Sequence, residues 1–228
     1  MEMGEGKFKV AVFDIDGTLA LVSSFHFFLR KNGFAEEAVL EFSRCASDMD
    51  VERLISRITT VIAGKNEADL LGAFNELPKM SGIKETVDSL HAEGIKAVVA
   101  TSGSRLVAEM FKKEYGFDYA IGAETEVQNG VLTGKAGILT PERKRDEVAA
   151  YCLLEGIRPE QVVVIGNSRS DTPLFDWAGY GIGLNPDRYL SSKMKEFIFT
   201  TDLREICGRI HNAHREIKLL PEKCVSRG

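Results

Sequence analysis

Asp14 and Asp16 stand two residues apart at the end of an apolar run, Lys9-Val10-Ala11-Val12-Phe13. Such a run reads as a buried strand, and carboxylates at its carboxyl end lie where open α/β sheets hold their ligands. If the strand continued, both side chains would point to one side. Two like charges that close need a cation or a shared proton between them. Gly17 follows and lets the backbone turn or approach a ligand. Two further apolar strands end in small polar groups, Ile95 to Ala100 in Thr101-Ser102-Gly103-Ser104 and Gln161 to Ile165 in Gly166-Asn167-Ser168-Arg169-Ser170-Asp171. If these strands are adjacent and parallel, the three clusters meet at one sheet edge. A basic trio, Arg143-Lys144-Arg145, opens a helix over 141–154 and reads on its own as a solvated face.

The elements between them set the architecture. Residues 23–77 carry helical patterns and no strand: Ser24 to Lys31, Ala35 to Ala46, a segment capped by Asp50 that runs to Ile62, and Glu67 to Leu77. Arg53 and Arg57, four apart, form either a solvated face or a positive group over an anionic substrate. Helices over 83–92, 106–115, 141–154, 174–178 and 202–218 alternate with strands at 119–121, 180–184 and 197–200. Gln128-Asn129-Gly130-Val131 marks the turn of a β-hairpin over 124–134. The expected fold is a doubly wound parallel α/β sheet, with residues 1–20 and 79–228 as core and 21–78 as a helical cap. The tail after Pro221 is expected to fray.

Composition narrows the classes. The chain has 228 residues, 44% hydrophobic and 28% charged, with a formal net charge of −5. That balance is globular and argues against nucleic acid or an anionic membrane as the main partner. No apolar stretch nears the roughly 20 residues of a membrane span, and residues 1–7 lack signal-peptide features. Cys45, Cys152, Cys207 and Cys224 form no CxxC pair, which fits reduced thiols in a cytoplasmic protein without a zinc site. His26 and His91 read as surface or core histidines. Glycine-loop nucleotide motifs are absent.

Asp14-Ile15-Asp16-Gly17-Thr18-Leu19 resembles the first motif of the haloacid dehalogenase-like superfamily. Thr101-Ser102-Gly103 resembles its second motif, Lys144 its third, and Gly166-Asn167 through Asp171 its fourth. The helical segment and the hairpin bring the chain nearest the phosphoserine phosphatase-like branch. This resemblance implies a phosphatase for a small phosphorylated metabolite. Asp14 would be the nucleophile, forming an aspartyl-phosphate, and Asp16 would move protons. Thr101, Ser102 and Gly103 would contact the phosphoryl oxygens, with Lys144 balancing charge. Mg²⁺ would sit among Asp14, the Asp16 carbonyl, Asn167 and Asp171. Thr101 and Ser102 both remain candidates for the second motif. Counting back from Leu154-Glu155-Gly156-Ile157 selects Lys144 for the third, with Arg143 still open.

Two departures stand out. Asn167 replaces an expected aspartate and removes one negative charge, which predicts weaker Mg²⁺ binding. Val22-Ser23-Ser24-Phe25-His26 lacks the acid that the resembled phosphoserine phosphatase pattern places there to grip a substrate amino group, which counts against phosphoserine. Arg57 stands near the position of a carboxylate-binding arginine. Phe25, Phe27 and Phe28 fit either an apolar pocket or cap packing. A phosphotransferase or mutase using the same intermediate is one alternative. A non-catalytic phospho-ligand-binding protein is another.

Overall fold

The computed structural model describes residues 8–34, 36–37, 39–40 and 51–216. The expected helix over 35–46, the cap at Asp50, Cys45, Cys224, and the ends before residue 8 and after 216 lie wholly or largely outside these residues. Six strands form one parallel sheet: β1 (Val10–Phe13), β2 (Lys96–Ser104), β3 (Tyr119–Ala123), β6 (Val162–Gly166), β7 (Tyr180–Leu184) and β8 (Phe197–Ile198). Their order is β3-β2-β1-β6-β7-β8. The three strands that end in polar clusters are therefore neighbours, with β1 in the middle, as the convergence at one edge requires.

Alternation along these strands feeds two cores. Ala11, Phe13, Val99 and Ile165 face one side, where they meet α4 (Ile83–Ala92), α5 (Arg105–Tyr115) and α9 (Arg204–Glu216). Val10, Val12, Val98 and Val164 face the other, against α6 (Pro141–Leu154) and α7 (Thr172–Trp177). Covering on both faces explains the continuous apolar strands. A four-residue helix, α8 (Arg188–Ser191), follows β7.

A third apolar cluster stands apart. It joins α1 (Ser24–Lys31), α2 (Val51–Ile62), α3 (Glu67–Glu76) and the hairpin β4 (Thr125–Gln128) to β5 (Val131–Ala136) through Phe28, Leu29, Ile62, Ala73 and Leu132. The hairpin turn is the expected Asn-Gly pair, with φ of 52° at Asn129 and 76° at Gly130. Backbone bonds from Gly64 to Leu132 and from Leu132 to Lys65, 2.9 and 2.8 Å, tie the hairpin to the helical segment. The hairpin thus shares its core with residues 21–78 although α4, β2, α5 and β3 separate the two in the chain.

Two expectations change and one condition is resolved. β2 does not stop at Ala100 but runs on to Ser104, because a bulge lets Ser104 pair with Ala123. β1 is the expected apolar run and ends at Phe13, so the condition that it continue is not met and Asp14 and Asp16 belong to a turn. The last helix begins at Arg204, where the Asp202 carboxylate accepts the Arg204 N–H at 3.0 Å.

Candidate active site

The turn after β1 is closed by its own backbone. The Ile15 carbonyl accepts N–H groups of Thr18, Leu19 and Ala20 at 2.9–3.0 Å. Gly17 has φ of 81°, and a Cβ there would stand 2.0 Å from Asn167 Nδ2. Glycine at this position is what allows the β1 turn and the β6 loop to touch.

Asp14 is 6% exposed and projects toward α6. Lys144 is 0% exposed, and its Nζ donates to Asp14 Oδ1 at 2.6 Å and to Asp171 Oδ1 at 2.8 Å. The helix that carries it starts at Thr140, whose hydroxyl accepts the Arg143 N–H, with Pro141 in the first turn. Lys144, Val148, Tyr151 and Cys152 share the buried face, while Arg143 is exposed. Between the two candidates of the basic trio, the structure brings Lys144 and not Arg143 to the carboxylates. The sequence held a signal for this, since Lys144 lies four and seven residues before Val148 and Tyr151.

One ammonium between two carboxylates leaves a net negative centre out of water. Burial, and next the charge of Asp171, push Asp14 up from 3.8 to about 7 against the pull of Lys144. Burial opposes the Lys144 charge, but attraction from Asp14 and Asp171 outweighs it and holds the ammonium well above its ordinary value. The two shifts agree: the lysine keeps its proton, and the uncompensated negative charge makes Asp14 easier to protonate than an ordinary carboxylate. Asp171, also 0% exposed, uses its second oxygen to accept the N–H groups of Asn167 and Ser168 at 3.0 and 3.1 Å. Asp171 therefore shapes the loop that presents Asn167.

Asp16 faces the other way. Its Oδ1 accepts the Ser24 N–H at 2.9 Å, and its Oδ2 accepts the Ser23 hydroxyl at 3.2 Å. It thus helps cap α1, where the Ser23 hydroxyl also accepts the His26 N–H. Ser23 and Ser24 are residues that sequence reasoning passed over; their signal was a serine pair at a helix start. The two carboxylates expected to repel one another are each given separate donors.

In the second cluster the Thr101 hydroxyl accepts the Gly103 N–H at 3.0 Å. Ser102 Oγ is buried with no hydrogen-bond partner. Ser102, Gly103 and Asp16 line a cavity of about 260 Å³ between the sheet edge and the third apolar cluster. Thr101 does not line it. Arg57 is exposed on α2, whereas Ile58 and Ile62 of that helix face the cavity.

Among the described residues no group of three His, Cys, Asp or Glu side chains is arranged to hold a metal. The oxygens present nonetheless fit a hard divalent cation. Asn167 Oδ1 is buried without a partner on the loop beside Gly17, and the nearby centre of Asp14, Lys144 and Asp171 is one charge negative. An orphaned oxygen next to surplus negative charge suits Mg²⁺.

The fold and the site define a hydrolase class, and comparison with known proteins names it. The model of the haloacid dehalogenase-like hydrolase family matches residues 11–176, and the chain belongs to that family. Relatives place it on the phosphoserine phosphatase-like branch. A phosphoserine phosphatase from Methanocaldococcus jannaschii is 26% identical over 89% of this chain and 97% of its own length. One from Archaeoglobus fulgidus is 29% identical over 80% of the chain, which spans about half (54%) of that relative's length. A phosphoserine phosphatase solved as a phospho-aspartyl intermediate analogue superimposes with a TM-score of 0.77. It is 25% identical and covers 89% of this chain and 99% of that one.

Proposed function

We propose that this chain is a phosphatase of small phosphomonoesters that works through Asp14. The observation carrying this reading is the buried bridge in which Lys144 joins Asp14 to Asp171. Phosphoryl transfer asks an enzyme mainly for positioning and charge stabilisation, and a fixed cation beside a carboxylate nucleophile supplies both.

Lys144 holds Oδ1 of Asp14, and Oδ2 is the oxygen that attacks phosphorus. The new bond forms from Oδ2 to phosphorus as the bond from phosphorus to the ester oxygen breaks. The leaving oxygen takes a proton from Asp16. Water then attacks the aspartyl-phosphate, Asp16 accepts the water proton, and Asp14 is released with inorganic phosphate. Ser102 Oγ, the unpartnered hydroxyl at the cavity, donates to a phosphoryl oxygen, and Thr101 holds the backbone of that turn through Gly103. Mg²⁺ would be held by Asp14, the Asp16 carbonyl and Asn167 Oδ1, and when bound it supplies positive charge to the phosphoryl oxygens. Asp171 contributes by fixing Lys144 and the Asn167 loop. The segment α1–α3 with the hairpin acts as the cap that excludes water.

A panel of phosphomonoesters assayed across a Mg²⁺ titration tests the reading. Hydrolysis that needs Mg²⁺ and disappears in Asp14→Asn is expected. Full activity in that variant would overturn it. With an amide where a carboxylate is usual, half-maximal activity is expected above micromolar Mg²⁺.

A further inference from the structure

The catalytic floor does not explain the cavity that opens beside Asp16 and Ser102. At about 260 Å³ it exceeds the ~150 Å³ that accommodates a benzene ring. Its walls include Phe28 of α1, Ile58 and Ile62 of α2, Leu70 of α3, and Leu132 of β5. Among its described lining residues only Asp16 and His26 are ionisable, and none is lysine or arginine. Burial lowers the His26 pKa, which favours its neutral form. A leaving group carrying an ammonium and a carboxylate would lose water on entering. Its carboxylate would meet no cation among these residues.

We propose that this cavity receives the alcohol part of the substrate and that this part is uncharged and apolar, an alkyl or aryl group of about six to eight carbons. The inference rests on the phosphatase reading and fixes its substrate class. The cavity is continuous with the acid that protonates the leaving oxygen and with the hydroxyl that grips the phosphoryl group. An apolar chain attached to that oxygen therefore extends directly between α1, α2, α3 and the hairpin.

The test is a series of n-alkyl phosphates from methyl to octyl, with phosphoserine alongside, assayed with Mg²⁺. The expected kcat/KM rises about two- to fourfold per added methylene up to hexyl, with phosphoserine no better than ethyl phosphate. A flat series, or phosphoserine above hexyl phosphate, overturns the assignment. If no ester is turned over, methyl phosphate included, the phosphatase reading fails instead. Calorimetry with n-alkylphosphonates then reads the cavity alone: affinity that climbs with chain length upholds the assignment, and affinity that does not overturns it. Ile58→Trp and Leu70→Trp, which narrow the cavity, are expected to lower the hexyl-to-methyl ratio of kcat/KM by about tenfold or more. A ratio measured within one protein is insensitive to how much of it is folded. An unchanged ratio in both variants contradicts the proposal.

Discussion

At the floor of the site Lys144 lies wholly buried between Asp14 and Asp171, and Asp171 is bonded in addition to two backbone N–H groups. A few residues away, the cavity is walled by phenylalanine, isoleucine and leucine, and its hydroxyl at Ser102 has no partner. The floor holds charge that only charge can balance, so its geometry is fixed before any ligand arrives. The cavity has few directional contacts and takes its shape from packing. In the proposed reading, reaction chemistry is built into the first region and choice of substrate into the second. Variants should therefore separate: floor substitutions change turnover and stability, whereas cavity substitutions change which ester is preferred.

The largest expected effect is on turnover in Asp14→Asn, which keeps the shape of the floor and removes the oxygen proposed to attack phosphorus. Steady-state assays should show a loss of about 10⁴ or more. A loss below about tenfold would move the chemistry away from the floor. Lys144→Met comes next. It strands two buried carboxylates, and urea unfolding should show a loss of about 3–5 kcal/mol. Any folded fraction should turn over about 10²–10³ more slowly. A variant as stable as the parent would mean that the bridge is not the rigid part.

The third effect depends on pH. The folded pKa of Asp14 is raised from 3.8 to about 7. Stability tied to its protonated form is therefore complete below about 3.8 and is lost as pH rises through about 7. Without Mg²⁺, Asp14→Asn should gain on the parent chain by up to about 4 kcal/mol between about pH 4 and pH 7. Chemical denaturation at several pH values checks this, and a difference that stays constant contradicts it. The smallest effect is expected at Arg57→Ala. Its side chain is exposed and does not line the cavity, so kcat/KM should change by no more than about twofold. A large rise in KM would place a cation over the substrate and blur the contrast between the regions.

Much of the fold was readable from local signals. Ser24–Lys31, Ile83–Ala92 and Pro141–Leu154 have the helix limits that caps and apolar spacing predict. The adjacency of β2, β1 and β6 was only a condition for their polar ends to meet, and the sheet order fulfils it. The site was less legible where a tertiary contact decides it. A lysine between two arginines reads as solvated until α6 is laid on the sheet and Lys144 is found on its buried face. Thr101 and Ser102 are adjacent hydroxyls, and only the bulge in β2 and the cavity beside it separate a residue that holds the turn from one that faces the ligand space. Asp16 looked like half of a strained pair because the serines that bind it belong to the next helix. The cavity itself was hidden, since Leu132 and Ile58 come from segments far apart in sequence.

The central claim is that Asp14 carries the phosphoryl group between the two half-reactions. It is tested most directly by acid-quenching the enzyme during turnover with Mg²⁺ and mapping phosphorylated peptides by mass spectrometry. The account predicts a phosphoryl group on Asp14, absent from Asp14→Asn and lost on alkaline treatment as an acyl phosphate should be. Turnover in the parent chain with phosphate on another residue, and none on Asp14, would contradict it.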